Sequence, residues 1–501
     1  MQQTMQMLHE IVWGPWTMFL FLGTGLFFTV KSGGFQIRRL PYWWKKTVGS
    51  LGGTDASTEK RQESGNGQNG QLAVSDRAVA PKTDVVSAFQ TSCTALAATI
   101  GTGNIVGVAT ALTAGGPGAV FWLWISALIG MATAYAETSL GQKYRYRGPD
   151  GTWQCGPMVS MERGLGCRSM GRIYALFAVL ASLGMGSMVQ ANAVSETLYY
   201  ETGMKPEIAA ALVTALTAAV VWGGIRRISR MTSWFVPLSA GIYFFFSVWV
   251  LAVCRRSIPE VVSQILKEAW TPGAAGGGIA GFLFSRSVRF GLARGVFSNE
   301  AGLGTLAVLH GAAEDTTPEE QGMWAMFEVF FDTIVICTLT ALVILCVEQE
   351  CAMAGGGAVW RMAVGHAAAG GQTLPAGLDG AALTSFCFTK ILGRCGGVLV
   401  SGSMASFAFA TIIGWYYIGR QMFSYLAESL CLGTKGEYLY TILYLLAVWL
   451  GCVCRLDRVW IVSDLVNGLM AYPNLLLLWL LAKYVRFPEM RVASARNTPK
   501  N

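Results

Sequence analysis

The chain has 501 residues, of which 53% are hydrophobic, 12% aromatic and 13% charged. A soluble domain carries about 25% charged residues, so 37 basic and 29 acidic side chains are too few to cover a soluble protein of this length. The composition therefore predicts a membrane protein. Three scattered histidines and twelve cysteines without a C-x-x-C pair exclude the usual zinc and thioredoxin motifs.

Eleven apolar stretches are long enough to span the membrane, since about 20 residues cross ~30 Å of hydrocarbon. They form one transmembrane domain over 1–501, with no soluble domain large enough for a separate activity. The first stretch lacks a basic n-region and a small-residue cleavage site, so we expect a retained extra helix, not a signal peptide. A further amphipathic or re-entrant piece is expected near 375–392. The stretches lie near 11–30, 86–112, 117–141, 172–199, 207–222, 232–253, 279–309, 321–347, 395–425, 438–454 and 459–484.

Basic residues predict the orientation of the chain. Most of the 37 Lys and Arg residues fall on one side if the N-terminus is outside and the C-terminus is cytoplasmic, as in a multi-pass protein of the cell (inner) membrane. The outside loop with Arg255, Arg256 and Lys267 departs from this pattern. The polar run at 49–82 is expected to be a flexible cytoplasmic loop, and 485–501 a cytoplasmic tail.

Two apolar stretches contain a polar, glycine-rich interruption, at 99–107 and at 297–305. With the first span set aside, these become the first helices of two groups of five spans, 86–253 and 279–484. Matching interruptions indicate the binding site of an inverted-repeat transporter. A half-helix N-terminus offers free N–H groups to an anion, and unwound carbonyls can coordinate a cation. Alternatively, the glycines only allow close helix packing.

The signature at 115–127, GGPGAVFWLWISA, resembles that of the sodium:alanine symporters, the alanine or glycine:cation symporter family. Further similar motifs extend the resemblance over nearly the whole chain: WGPW, ALAATIGTGNIVGVATAL, MVQANAV, RGVFSNEAGLGT, QGMWAMFEVFFDTIVICTLTALVIL and TIIGWYYIG. The resemblance implies an all-α polytopic membrane protein of about 11 transmembrane helices. In this fold, one additional N-terminal helix precedes a leucine-transporter-like five-plus-five inverted repeat.

The same resemblance implies a secondary active symporter that works by alternating access. It implies uptake of alanine, glycine or a similar small neutral amino acid, coupled to Na⁺ or, less often, H⁺. The implied partners are the amino acid, the ion and the bilayer, with no other cofactor, no nucleic acid and no enzymatic activity. The chain departs from the family pattern at Leu123, Cys155 and Arg420, where Met, Gly and Glu are usual. Because Arg420 stands where Glu is usual, an ion-pair role of that acid in the family cannot be carried over to this chain.

By resemblance and position, Gly101, Thr102, Gly103 and Asn104 line the substrate, with backbone N–H groups holding its carboxylate. Gln90 lies about three turns earlier on the same helix. Its side chain either caps the pocket or forms an interhelical hydrogen bond.

Three more polar or aromatic residues in apolar spans are candidate substrate contacts. Asn192 is a hydrogen-bonding group deep in the fourth span, at a position that similar family members use to contact the amino acid; the alternative is an interhelical bond. Thr411 and Trp415 are four residues apart, so one helix face presents both. The indole then limits the pocket to small substrates, or it is a packing residue.

Na⁺ requires oxygen donors. Carbonyls around Thr99 and Thr102, together with the hydroxyl of Thr411, are candidate ligands. Ser298 and Asn299 at the second interruption can complete either site.

Ionisable residues inside membrane spans also need a role. We hypothesise ion pairs that hold or gate a mobile helix bundle, against the alternative of a purely structural role. The candidate acids are Glu300, Glu328 and Asp332, and the candidate bases are Arg286, Arg289 and Arg294.

Other functions remain as alternatives. A transporter of another small zwitterion fits the same pattern. An ion channel would show repeated filter segments, whereas this chain has two halves of an inverted repeat. An intramembrane enzyme would show clustered catalytic residues such as paired histidines, and the sequence has no such cluster.

Overall fold

A computed structural model describes residues 12–51, 86–148, 151–270, 286–353, 380–429, 433–454 and 457–488. Nearly all of these residues are helical; one two-stranded antiparallel hairpin pairs β1 (Tyr146–Arg147) with β2 (Trp153–Gln154). The expected loop at 49–82 lies outside the described residues after Leu51, and the expected tail lies outside them after Pro488.

The helices before residue 271 begin with the expected extra helix, α1, and two short helices that follow it. One pair, α4 with α5, is an interrupted span, whereas α8 and α9 are one span that continues through a π segment. The helices are α1 (Pro15–Lys31), α2 (Phe35–Arg38), α3 (Leu40–Lys46), α4 (Ala88–Thr99), α5 (Val106–Gly115), α6 (Gly118–Tyr144), α7 (Pro157–Leu165), α8 (Arg168–Leu183), α9 (Val189–Thr202), α10 (Pro206–Val221), α11 (Gly224–Val253) and α12 (Ile258–Glu268).

The helices after residue 285 contain the second interruption, between α13 and α14. The expected re-entrant piece near 375–392 is a helix, α17, over its described part. The helices are α13 (Arg286–Asn299), α14 (Thr305–His310), α15 (Pro318–Val329), α16 (Thr338–Met353), α17 (Gly380–Leu392), α18 (Arg394–Ser429), α19 (Gly433–Val453) and α20 (Asp457–Leu480).

Two long helical spans change to π-helix part of the way along. The segment Gly184–Met188 joins α8 to α9, and Phe330–Cys337 joins α15 to α16. A π segment widens the helical turn and is frequent at functional sites. Beyond each segment, the side chains point in directions rotated from those of a regular α-helix. The periodicity of the sequence does not predict this rotation.

Among the described residues, six helical spans are individually long and apolar enough to cross a membrane. The bent pair α4 and α5 supplies a seventh, and α1, α10 and α17 are shorter apolar helices. The chain is therefore a multi-pass, nearly all-helical protein.

Glycines bring α13 close to α6. A Cβ added at Gly291 would lie 2.3 Å from the carbonyl oxygen of Ala119, and one at Gly295 would lie 2.6 Å from Ser126 Oγ. These two glycines are one helical turn apart, so they form a small-residue contact of the kind that lets membrane helices pack backbone to backbone. This close contact positions the second interruption beside α6.

The extra helix α1 packs between α6 and α20. Trp13 Nε1 donates to the carbonyl oxygen of Asp464 at 3.0 Å, and Trp479 Nε1 donates to Thr24 Oγ1 at 2.9 Å. On its other side, a Cβ at Gly25 would collide with Ile129 of α6. Helix α1 is thus bound on both sides by the helices that hold the second interruption.

Candidate substrate and cation site

The first interruption is a sharp bend between α4 and α5, whose axes meet at 63°. The chain leaves α-helix after Thr99, forms a 3₁₀ turn over Thr102–Asn104 and resumes at Val106. The side chain of Asn104 closes the turn, because its Oδ1 accepts from the backbone N–H of Gly101 at 3.0 Å. The interruption expected at 99–107 is confirmed.

Helix α18 packs directly on this bend. The hydroxyl of Thr411 lies 3.4 Å from the freed carbonyl oxygen of Ile100. A Cβ at Gly101 would lie only 2.7 Å from that hydroxyl, so the approach of α18 requires glycine there. Thr411 therefore faces the bend, and Trp415, one turn later, reaches the second interruption.

Gln190 contacts the first interruption from α9. Its Oε1 accepts from Thr102 Oγ1 at 3.2 Å, and its side chain is buried. Asn192, two residues later, instead lines an open cavity of about 940 Å³ that Thr102 also borders. Asn192 was predicted from the sequence as a substrate contact, and Gln190 was not. The sequence feature that led to Asn192 is shared by Gln190, since both are neutral amides in the same apolar span.

The second interruption separates α13 from α14 and contains three residues with positive φ: Glu300 at 55°, Gly302 at 94° and Gly304 at 85°. The positive φ costs conformational free energy mainly at Glu300, because a non-glycine residue rarely adopts this conformation. Its Oε2 accepts from Thr305 Oγ1 at 2.5 Å, and its Oε1 accepts from Trp415 Nε1 at 3.0 Å. These two bonds hold the interruption expected at 297–305.

Three other helices bind the backbone of this interruption. Glu137 of α6 accepts from the N–H of Gly302 at 3.2 Å, and Asn474 of α20 donates to the Gly302 carbonyl oxygen at 2.9 Å. Tyr174 of α8 donates to the carbonyl oxygen of Leu303 at 2.8 Å. The sequence analysis did not name these three side chains. Glu137 carried a signal, since it is an ionisable residue inside an apolar span, whereas Asn474 and Tyr174 are single neutral residues in such spans.

Asp332, in the π segment between α15 and α16, connects the two interruptions. Its Oδ1 accepts from Asn104 Nδ2 at 2.6 Å, and its Oδ2 accepts from Ser298 Oγ at 2.7 Å. Thr333 Oγ1 donates to the same Oδ2 at 2.9 Å. The carboxylate is fully buried, and its described partners are neutral groups.

The hypothesised ion pairs are not formed by Arg289 or Arg294, the two candidate arginines whose side chains the structure describes. The guanidinium of Arg294 lies over the ring of Phe297, and the described partners of the carboxylates at 300, 328 and 332 are other groups. Glu328 instead pairs with the buried His310, whose Nε2 lies 3.0 Å from Glu328 Oε2. Arg289 lies over Phe290, and the side chain of Arg286 is outside the described residues. Neutral donors therefore contact Glu300 and Asp332, and the imidazole of His310 contacts Glu328.

The remaining candidate residues lie at or beside the interruptions, with one exception. A Cβ at Gly103 would lie 3.5 Å from the ring of Phe297, so the two interruptions touch there. The hydroxyl of Thr99 donates within its own helix to the carbonyl oxygen of Ala95, and Asn299 Nδ2 donates to Thr333 Oγ1. The exception is Gln90, whose Oε1 accepts from the N–H of Ser87 in the capping box that begins α4.

Arg420, the departure from the family pattern, has a local partner. Its Nη2 lies 2.6 Å from Glu437 Oε2 of α19. The pair therefore joins α18 to α19, with Arg420 five residues after Trp415 on the same helix.

The oxygen chemistry around Asp332 suits a hard monovalent cation. One buried carboxylate and two hydroxyl oxygens surround the point where the interruptions meet, and Na⁺ prefers such donors to nitrogen or sulfur. Transition-metal chemistry has no comparable support: among the described residues, no group of three or more His, Cys, Asp or Glu side chains can hold a metal ion.

Comparison with known proteins finds whole-chain relatives. The family model described as "Sodium:alanine symporter family" matches residues 1–491. A sodium/alanine symporter of Methanococcus maripaludis is 37% identical over 98% of this chain and 98% of its own length. An uncharacterized transporter of Haemophilus influenzae is 37% identical over 95% and 93%, and a probable sodium/glutamine symporter of Bacillus subtilis is 32% identical over 95% and 87%.

Proposed function

The chain belongs to the sodium:alanine symporter family, and on that premise we propose that it couples inward Na⁺ movement to the uptake of alanine, glycine or a similar small neutral amino acid. Membership makes it a transporter, not an enzyme. The observation that supports the proposal most is the pair of helix interruptions that meet at Asp332. A site built at two broken helices is suited to alternating access.

In this proposal, the chain from 86 to 253 and the chain from 279 to 484 form two inverted repeats of five spans, preceded by the extra helix. The N-terminus lies outside and the C-terminus in the cytoplasm. The support is the position of each interruption, α4–α5 and α13–α14, at the start of its repeat. Basic residues concentrated in the proposed cytoplasmic segments support the orientation.

The amino acid binds at the first interruption. The free N–H groups after Gly101 hold its carboxylate, and Thr102, Gln190 and Thr411 surround it. This is supported by the contacts that Gln190 and Thr411 make with the bend, at Thr102 and at the carbonyl oxygen of Ile100. Trp415 bounds the side-chain pocket: a Cβ at Gly186 would lie 2.5 Å from Trp415 Cβ, so the indole is tightly held and leaves room for small substrates only.

The coupling cation acts at Asp332, with Ser298 and Thr333 supplying hydroxyl oxygens. A Na⁺ ion would neutralise the buried carboxylate and compete with Asn104 for its Oδ1. Occupancy would therefore change the contact that joins the two interruptions. H⁺ is the alternative, because protonation would also remove the charge. One Na⁺ entering down ~100 mV supplies about 2.3 kcal/mol, and a tenfold gradient adds about 1.4 kcal/mol, enough to concentrate a substrate several-hundred-fold.

Uptake into proteoliposomes tests the proposal. Labelled alanine, glycine and glutamine are offered to the purified chain under an inward Na⁺ gradient, a pH gradient or neither. We expect alanine and glycine to accumulate only with Na⁺. Accumulation with the pH gradient alone would identify H⁺ as the ion. Preferred uptake of glutamine, the substrate in the name of one relative, would refute the small-substrate pocket, and no accumulation of any of the three would refute the function.

A matched pair of variants tests the substrate position. Gln190→Leu removes an amide that contacts Thr102, whereas Asn192→Leu removes one that faces the open cavity. We expect the KM for alanine to rise about tenfold in the first, as for the loss of one hydrogen bond of about 1.4 kcal/mol. The second should change KM less. The reverse order would refute the proposed position.

A further inference from the structure

The outside loop that departs from the charge pattern begins where α11 ends. Arg255 and Arg256 follow Cys254, the residue after the last helical residue Val253, and both side chains are exposed. In the proposed orientation, basic residues are scarce on the outer side of the membrane. The charge pattern therefore does not explain two adjacent arginines there, and their surroundings have to. Among the described residues, neither guanidinium has an ion-pair partner.

The two arginines border a cavity of about 680 Å³ on the outer surface of α11. Its wall is aromatic: Phe245 and Trp249 lie one turn apart, with ring centroids 5.9 Å apart in an edge-to-face arrangement. Both rings are more than half exposed, at 56% and 52%. The cavity therefore combines an apolar wall along the helix with positive charge at its end.

The neighbouring elements put this charge at the level of the lipid headgroups. Helix α12 follows the arginines at once and is amphipathic, with Val261 and Ile265 buried and Lys267 exposed. Trp122 and Trp270 lie near its end in edge-to-face contact, with centroids 5.7 Å apart. Tryptophans and an amphipathic helix mark the membrane–water interface.

The third polar group at the cavity is Glu350 of α16. Its Oε1 accepts from Ser257 Oγ at 2.6 Å, so the carboxylate is held against the start of α12. Two guanidinium groups and one carboxylate leave one net positive charge facing the cavity. This complements a headgroup with a single net negative charge, and guanidinium groups bind phosphate oxygens through paired hydrogen bonds.

We propose that this cavity binds an anionic phospholipid, with the phosphodiester between Arg255 and Arg256 and an acyl chain along Phe245 and Trp249. The occupant is a lipid, because a free anion would not use the exposed aromatic wall that continues away from the arginines toward the middle of α11. The site is independent of the amino-acid and cation sites proposed above, and its occupancy does not require transport.

Lipid binding to the full-length chain tests the proposal. Phosphatidylglycerol or phosphatidylcholine is titrated into the protein in detergent, and native mass spectrometry measures the fraction with one added lipid. We expect a preference for phosphatidylglycerol that falls about 30-fold in Arg255→Ala/Arg256→Ala, as for the loss of two basic groups near a headgroup. Trp249→Ala, which keeps both arginines, should also weaken binding.

The matched control is Arg226→Ala/Arg227→Ala, a pair of adjacent exposed arginines at the opposite end of α11. This variant should retain the preference. An equal loss in both double variants would show general attraction to basic residues and would overturn the proposal. Displacement of phosphatidylglycerol by an equal concentration of inorganic phosphate, or equal binding of phosphatidylcholine, would overturn the assignment to an anionic lipid.

Discussion

The two interrupted spans are built in different ways. The first, between α4 and α5, is a bend with a short 3₁₀ turn, bordered by hydroxyl and amide groups from α9 and α18. The second, between α13 and α14, contains three positive φ angles and is held by the carboxylates of Glu137 and Glu300 and the phenol of Tyr174.

This difference is consistent with a division of roles that we propose for the two interruptions. Neutral groups beside an open cavity suit a ligand that brings its own charges, so the first interruption is the proposed position of the amino acid. Strained backbone persists only where the surroundings hold it, and three helices hold the second. We therefore propose that the second interruption is the anchor, the part of the site whose backbone is held fixed, and that ion binding at Asp332 affects both interruptions.

The largest effect is expected for Asp332→Asn, which breaks the connection between the two regions. Asparagine keeps one acceptor oxygen and loses the charge, so the three present donors cannot all be satisfied. Hydrogen bonds to charged groups contribute about 1.5–3 kcal/mol each, and Na⁺-driven alanine uptake should fall about 100-fold. Asp315→Asn is the control, because Asp315 is exposed and has a positive φ that asparagine tolerates. Normal Na⁺ dependence in Asp332→Asn would contradict the connecting role.

Gly101→Ala should alter the first interruption alone. The new Cβ would lie 2.7 Å from Thr411 Oγ1, and overpacking of this kind costs about 1–3 kcal/mol. Uptake should therefore fall by about tenfold. In a Thr411→Ala background, the same change should cause little further loss, since the colliding atom is absent. Gly23→Ala is the control, because a Cβ there meets nothing within 4 Å. An equal further loss in both backgrounds would refute the collision.

Glu300→Gln should alter the second interruption alone. The amide oxygen can still accept from Trp415, and the amide nitrogen can donate to Thr305 Oγ1, so bonds to a carboxylate become bonds to a neutral amide. Hydrogen bonds to charged groups contribute about 1 kcal/mol more than neutral ones, which predicts a roughly fivefold fall in the maximal uptake rate, with the KM for alanine little changed. This is measured as initial rates over a range of alanine concentrations. A rise in KM with an unchanged maximal rate would place Glu300 with the substrate and remove the distinction between the interruptions.

The smallest effect on transport is expected for Phe21→Ala in the extra helix. The ring packs against Gly302, where a Cβ would lie 2.6 Å from Phe21 Cε1, and it stacks on Trp13. Its loss leaves a cavity beside the second interruption, which should lower Tm by on the order of 5 °C. Alanine uptake should change less than it does in the other variants. Phe19→Ala is the control, because Phe19 is 46% exposed. An unchanged Tm would show that α1 does not support the second interruption.

Most of the secondary structure could be predicted from the sequence, and only part of the site. Both interruptions were predicted at the observed residues, because glycine and polar side chains in an apolar span act locally. Local sequence signals could not decide whether Asn192 or Gln190 contacts the first interruption. Residues two apart on a helix face nearly opposite directions, and the π segment Gly184–Met188 changes which face meets the bend.

The contacts of the acidic residues also could not be predicted from the sequence. Asp332 and Glu300 were singled out from the sequence as ionisable groups inside membrane spans, because a buried charge there requires a partner. The arginines hypothesised as their partners are not the partners that the structure describes. Arg294 is close to Glu300 in sequence, but it lies on a part of α13 that turns its guanidinium toward Phe297. Neutral donors from distant helices satisfy the carboxylates instead.

The sequence by itself determined that this protein is a multi-pass helical transporter with two broken spans, because hydropathy, glycine and family motifs are properties of contiguous residues. The tertiary structure alone decided which side chains meet. The bond from Thr102 to Gln190 joins residues 88 positions apart, that from Asn104 to Asp332 joins residues 228 apart, and that from Asn474 to Glu137 joins residues 337 apart. Contacts over such separations depend on how the helices pack, and local patterns carry no information about them.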